Sequence, residues 1–338
     1  MGRGRREKRA LWCLALLSAG LAAAPICNAA ETIKISVIKA VSYGPFFIGQ
    51  EKGYFAAEGL EPQLVFFEAS PPIAVAVVSG DLDFGIGATS AAFFSLGNKL
   101  RIIGGFAREA PGFQGMTFVA SLRGWEAGVK SLKDLAGHSV AIGTIGSSPH
   151  YSLALIEEKY QIDPKSVRVL PLQTVSNQVS ALIGGQADAG VTIAAGLMPA
   201  VGRGELKLLG FMGDEVPWQL SAIFTATRTI EERPATVEKF MRAYRKAAVA
   251  YAAAFAGPDG KRRDGPTAEE TLAIIAKYVG QTPEELRKSI GYVEPEALVD
   301  LRDLERQVAW YRAQDMLKAE VKVGPLIDRR YATLLPGQ

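Results

Sequence analysis

Strand-length apolar runs and segments of helical period alternate along the first two thirds of the chain. Thr32–Ile38 (TIKISVI) alternates and is rich in branched residues, which predicts a strand. A loop and a short helix follow in VSYGPFFIGQEKGYFAAEGL, and Gln63–Glu68 (QLVFFE) is the next strand. Ser70-Pro71-Pro72 opens a helix that runs to Gly80, with serine as N-cap and proline in the first turn. DFGIG predicts a short buried strand, SAAFFSLG a helix and LRIIGGF a strand. After Met116–Ser121 (MTFVAS) a second series begins with a short helix in SLKDLAG and a strand in HSVAIG. A helix from Ser148-Pro149 to Tyr160, the strand SVRVLPL, and a helix from about Ser176 to Gly184 come next. AGVTI and ELKLLGF are its last strands. Such alternation predicts an α/β chain built on parallel sheet. The final third reads as helices over Ala235–Ala256, Glu269–Tyr278, Pro283–Ile290 and Pro295–Leu317, material to cover the first sheet.

One phrase occurs twice. Gly80-x-x-Asp83-x-Gly85-Ile86 and Gly185-x-x-Asp188-x-Gly190-Val191 open 105 positions apart. In both, a helix stops at glycine, aspartate sits in the turn, and a short apolar strand leads into a loop of small residues. The repeat predicts two copies of one supersecondary unit, with Asp83 and Asp188 satisfying backbone donors in their turns.

The first thirty residues stand outside this pattern. A basic start (MGRGRREKR), an apolar run (ALWCLALLSAGLAAA) and a small-residue end (ICNAA) predict a secretory signal peptide cleaved near Ala29 or Ala30. Pro25 and Ile26 before Cys27 do not make a lipoprotein box. Residues 1–30 hold five of the 38 Lys/Arg, one of the 35 Asp/Glu and both cysteines, so the remainder carries 33 basic against 34 acidic residues. A near-neutral mature chain without cysteine gives no argument for nucleic acid, a disulfide framework or thiol chemistry.

Ligands of parallel α/β sheets bind beyond the carboxyl ends of the strands. Six loops stand there: Tyr43-Gly44-Pro45-Phe46, Ala69-Ser70, Ala88-Thr89-Ser90, Gly146–His150, Thr174–Asn177 and Thr192–Ala194. GTIGSSPHY suits an anion best. Its glycines allow close backbone approach, Ser147 and Ser148 offer hydroxyls, and the helix start exposes the N–H groups of His150 and Tyr151. At the corresponding corner of the first series Pro71 and Pro72 have no N–H, so Ser70 or a ring face would make the contact there. Tyr43 and Trp218 are the stacking candidates among Phe46, Phe47 and Phe113. Arg108 is either a carboxylate partner or a solvated surface residue, His150 either a donor or a structural histidine, and His138 lies at the surface. No cofactor is expected. Neither histidine has metal-ligand spacing, GTIGSS is neither a P-loop nor a nucleophile elbow, and no catalytic set emerges.

The order of export signal, YGPFFIGQEKGYFAAEGLEPQLV, SGDLDFGIG, SLKDLAGHSVAIGTIGSSPHYSLALIEEKYQIDPKSVRVL and ALIGGQADAG resembles the periplasmic substrate-binding proteins of nitrate/sulfonate/taurine-type ABC transporters. The resemblance covers essentially the whole mature chain. It implies the two-lobed periplasmic-binding-protein fold of type II, one lobe from 31–117 plus 224–338 and the other from 118–223. MTFVA and AIFTA would be the two hinge strands, with ligand between the lobes. It implies a periplasmic monomer that delivers a small organic anion to an inner-membrane permease and its ATPase. A carboxylate or sulfonate with an apolar body suits the candidate residues better than nitrate, since no Lys/Arg cluster lies in the six loops. Thiamin-pyrimidine synthases share the lobe pattern, but the export signal and the lack of mature cysteine speak against that chemistry. A ligand-binding subunit feeding a membrane sensor is the other alternative.

Overall fold

The computed structural model describes residues 30–338, and the expected export signal with both cysteines lies outside the described residues. The first series comprises β1 (Glu31–Ile38), α1 (Gly44–Glu51), α2 (Tyr54–Ala57), β2 (Leu60–Phe67), α3 (Pro71–Ser79), β3 (Phe84–Ala88), α4 (Ala91–Ser95), β4 (Leu100–Gly105) and β5 (Ala107–Glu109). The second comprises β6 (Met116–Ser121), α5 (Leu122–Glu126), β7 (Ser139–Ile142), α6 (Ser148–Tyr160), β8 (Arg168–Pro171), α7 (Val175–Ile183), β9 (Ala189–Ile193), α8 (Ala194–Gly202), β10 (Leu206–Phe211) and α9 (Met212–Glu215). The chain then returns through β11 (Trp218–Gln219) and β12 (Ser221–Ala226) to α10 (Thr227–Glu232), α11 (Pro234–Phe255) and α12 (Ala268–Val279). It ends with α13 (Pro283–Arg287), β13 (Tyr292–Val293) and α14 (Leu301–Ala313).

Two five-stranded sheets result, in the orders β2-β1-β3-β12-β4 and β10-β6-β9-β7-β8. Each keeps a parallel trio, β2-β1-β3 and β8-β7-β9. Neither is wholly parallel, which corrects the expectation from alternation alone. β12 runs antiparallel to β3 and β4, and β6 antiparallel to β9 and β10. Parallel neighbours need a crossover connection, whereas β6 and β12 arrive directly from the other sheet. For the same reason MTFVA and AIFTA are inner strands of different sheets. The pairing between the two passages is that of β5 with β11, Trp218 opposite Glu109 and Gln219 opposite Arg108, with β13 on the other edge of β5.

The repeated phrase does the same work in both sheets. Asp83 Oδ2 accepts the Lys34 N–H in β1 at 2.7 Å, and Asp188 Oδ2 accepts the Ser139 N–H at 2.9 Å and its hydroxyl at 2.7 Å in β7. Each aspartate thus ties the turn before one parallel strand to the adjacent one, within β1 at Lys34 and at the start of β7 at Ser139. Gly80 and Gly185 adopt φ of +91° and +65°, the left-handed conformation that lets the preceding helix end there.

The long helix α11 covers the first sheet as the pattern predicted. Phe240 stacks on Phe84 at 3.8 Å, and Tyr244 lies 5.4 Å from Phe46. The last helix is shorter than the sequence suggested, because Val299 bridges Leu334 before Asp300 caps α14 through the Asp303 N–H. Among the described residues no helix is long and apolar enough to cross a membrane.

Candidate functional site

The carboxyl ends of all six parallel strands open onto one cavity of about 470 Å³ between the two five-stranded sheets. The first sheet contributes Ile38 after β1, Glu68 to Ser70 after β2, and Ala88 with Ser90 after β3. The second contributes Gly143 and Thr144 after β7, Gln173 and Thr174 after β8, and Thr192 with Ile193 at the end of β9. Phe106, Ala107, Met116, Leu220 and Ser221, from the passages between sheets, form much of the remaining wall. The lining is largely apolar carbon interrupted by hydroxyls and two glutamine amides. Among the described residues it includes no Lys, Arg or His, and Glu68 is its single carboxylate.

The two sides differ electrostatically. On the side of the second sheet, α6, α7 and α8 all begin at the cavity. Thr174 caps α7, its Oγ1 accepting the Asn177 N–H at 3.1 Å. α6 has no side-chain cap: Ser147 precedes it, but its hydroxyl donates to the Thr144 carbonyl at 2.6 Å. Ser148 and His150 therefore keep backbone N–H groups without intrahelical partners. Tyr151 N–H is taken by the Ser147 carbonyl at 3.0 Å. α8 likewise starts after Ile193 without a side-chain cap. The aligned peptide dipoles make this wall positive without any cationic side chain. Across the cavity, Pro71 and Pro72 leave α3 without those donors, and Ser90 caps α4 through the Phe93 N–H at 3.3 Å.

Of the residues singled out from sequence, Tyr43, Ser70, Ser90, Ser147, Ser148, Thr174 and Thr192 line this cavity. Tyr43 is buried, its hydroxyl donates to the Ile86 carbonyl at 3.1 Å, and burial pushes its ionisation far up, so it stays neutral. Ser70 is itself helical and caps nothing.

The others lie elsewhere. Gly44 packs where an added Cβ would meet Ile275 and Tyr251, and Pro45 and Phe46 are buried in α1. Phe47 stacks on Tyr278 and Phe113 on Tyr292. Thr89 donates to Gln307 at 2.6 Å, behind the wall. His150 turns outward: its Nδ1 accepts the Gly146 N–H at 3.1 Å, and its ring packs on Trp310 at 5.1 Å. Burial lowers its pKa, in keeping with the neutral acceptor this bond requires. Tyr151 and Trp218, both 1% exposed, pack edge to face at 5.0 Å in the core. Asn177 is exposed and donates to the Leu172 carbonyl. Arg108 faces Glu294 and Asp300 at 3.9 and 3.6 Å, and so does not serve the cavity. His138 stands near Asp188 at the strand entry.

Sequence reasoning missed Ile38, Glu68, Phe106, Met116, Gln173, Gln178 and Leu220. Ile38, Glu68 and Gln173 follow from counting the residues that end or follow each parallel strand. The rest come from the passages between sheets and from inside a helix, where no local signal marks them.

A family model described as NMT1/THI5 like matches residues 41–260. No curated protein sequence matches the chain. Among solved structures, the alkanesulfonate-binding protein SsuA from Xanthomonas axonopodis pv. citri bound to MOPS is similar with a TM-score of 0.69 at 18% identity, over 88% of this chain and 98% of that one. A Candida albicans gene product described as having the generic periplasmic binding protein structural fold matches at 0.69 and 14%, over 91% and 99%. The desulfurization enzyme DszB matches at 0.64 and 13%, over 89% and 97%. The fold is that of the periplasmic binding proteins.

Proposed function

This chain belongs to the NMT1/THI5-like family, and from that premise we propose that it is an exported solute-binding protein of an ABC importer. It captures a small organic anion in the cavity between its two sheets and presents it to an inner-membrane permease. The lobe carrying the first sheet comprises about 31–117 with 224–338, and the other about 118–223. The observation that carries the reading is the convergence of six parallel-strand ends, with two uncapped helix starts, on one cavity. An anionic head rests against Ser147, Ser148 and the free N–H groups of α6. The apolar body lies along Ile38, Phe106, Met116 and Leu220. The alkanesulfonate and MOPS named for SsuA are ligands of this kind, as is a carboxylate with an aromatic body.

The mechanism is capture and release with no covalent step. Among the described residues, apart from the hydrogen-bonded Tyr43, the one ionisable side chain on the lining is Glu68, which offers no nucleophile–base pair. Ligand binding stabilises the arrangement in which both sheets contact it.

The test is a thermal-shift panel of alkanesulfonates, taurine, nitrate, aliphatic and aromatic carboxylates and thiamin precursors. At 100 times its dissociation constant a ligand adds about 2.7 kcal/mol of stability. A shift with a sulfonate or carboxylate recovered unchanged supports the receptor. Shifts only with neutral or cationic compounds would reduce the α6 corner to an ordinary helix start. Chemical conversion of the compound would favour an enzyme.

A further inference from the structure

How many negative charges the cavity accepts can be read from its lining. It has no cationic side chain among the described residues, and its one charged group is the solvent-exposed carboxylate of Glu68. A second acceptor stands with it. Gln178 in α7 lines the cavity at 2% exposure, and its Oε1 has no hydrogen-bond partner. Its Nε2 lies 3.4 Å from the Thr174 carbonyl oxygen, so turning the amide over would bring two oxygens together. The amide is held with oxygen as its free group.

Positive potential comes from dipoles alone. A helix start carries roughly half a unit of positive charge, and α6 and α8 are the two starts at the cavity without a side-chain cap. With the first N–H of α8 already taken by the Gly115 carbonyl at 2.9 Å, they match at most about one anionic charge. A second would lose its water with no counter-charge to replace it, and would share the cavity with Glu68, with the unpartnered oxygen of Gln178 buried in the wall behind.

Resting on the anion reading above, we infer that the cavity admits organic monoanions and rejects dianions of the same shape, with Glu68 and Gln178 opposing the second charge. Polar substituents beyond the single anionic head are hydrogen-bond donors, the one kind of group those two acceptors can receive.

Matched pairs separate charge from shape. Benzenesulfonate with phenylphosphonate, and propanesulfonate with propylphosphonate, are titrated calorimetrically into the full chain at pH about 5.5 and about 9; the phosphonates go from mono- to dianion across this range, and the sulfonates stay monoanionic. The phosphonate-to-sulfonate ratio of dissociation constants cancels any titration of the protein itself. It is expected to lie within about threefold of unity at the lower pH and to rise at the higher one by the factor by which the monoanion is depleted, roughly 30-fold or more for the aryl pair and roughly fivefold or more for the alkyl pair, which loses its second proton later. In Glu68→Gln the rise shrinks by about threefold or more. A ratio that does not change with pH overturns the inference while leaving the anion reading intact. An undiminished rise in Glu68→Gln overturns the role of Glu68. Absence of binding by both members of both pairs at either pH overturns the anion reading, and this inference with it.

Discussion

Replacing Glu109 by glutamine should flatten the pH dependence of stability. Glu109 ends β5, is 1% exposed, and sits where the chain passes between the two sheets. Its Oε1 accepts the Met116 N–H at 2.9 Å, and its Oε2 is buried without a partner. Burial pushes the carboxyl from 4.5 to about 7; the N–H groups of Met116 and Gly213 pull it down, and Asp214 adds to the rise. The folded state therefore holds its proton more tightly than the unfolded chain does. Stability from this group is fully present below about pH 4.5 and is lost as pH rises through about 7. A rise of that size corresponds to about 3 kcal/mol.

Glutamine keeps an oxygen for Met116 and cannot ionise. Urea denaturation of both proteins at several pH values between about 4.5 and 9 gives the difference in unfolding free energy at each. Relative to its value in acid, that difference should shift by about 3 kcal/mol in favour of the variant above neutrality, most of it between pH 5 and 8. Glu157 and Asp303, raised chiefly by burial to about 7 and about 6, titrate in the same window. Because both proteins contain them, they cancel in the difference. A difference that stays constant across the range would refute the assignment of a buried, proton-binding carboxyl to Glu109.

Ser147→Ala combined with Ser148→Ala should weaken binding of a panel-selected anion by roughly tenfold and leave the far-ultraviolet circular dichroism unchanged; unchanged affinity would remove the α6 corner from the site. Asp188→Ala should cost roughly 2 kcal/mol in urea at neutral pH. Burial pulls the Asp188 pKa upward, but the Ser139 N–H and hydroxyl, with His138 and Arg123, more than offset it. The contribution is therefore present above the ordinary carboxylate pKa and fades as pH falls through the lower folded value, which an acid titration of the mutant difference checks. Phe240→Ala removes the ring stacked on Phe84 and should cost about 3–5 kcal/mol; a midpoint within error of the parent protein would contradict the packing of α11 on the first sheet.

What the sequence revealed and what it hid divide along physical lines. Period and punctuation are local properties, so most of the order of strands and helices was readable from TIKISVI to ELKLLGF, as were helix limits such as Gly80 and Tyr160, while the short α5, α8 and β5 were not foreseen. The duplicated phrase was legible as a repeated unit for the same reason. Its purpose was only half legible, because the N–H groups that Asp83 and Asp188 satisfy belong to strands 49 residues earlier. Strand direction was misjudged where it depends on a distant segment: β12 takes its place between β3 and β4 only after the chain has built the whole second sheet.

The candidate site divides in the same way, and the division shows what a cavity of this fold is made from. Helix starts and strand ends were visible in advance, and the structure places Ser147, Ser148, Thr174 and Thr192, chosen on those grounds, on the cavity lining. Aromatic residues were chosen because rings beside glycine and proline can stack on ligands; the structure keeps Tyr43 on the lining and puts Phe46 and Trp218 off it. Large rings yield more by leaving water entirely than by lining a wet cleft, and both are at most 1% exposed. The cavity takes its apolar wall largely from the passages between sheets, from Phe106, Ala107, Met116 and Leu220. Those passages are also where β5 pairs with β11 and where Glu109 sits buried beside Gly115, too close for any side chain there. The cavity wall and the connection between the sheets are thus made by the same few residues. A change in how the passages pack must alter the cavity wall, and a ligand on that wall must bias the passages.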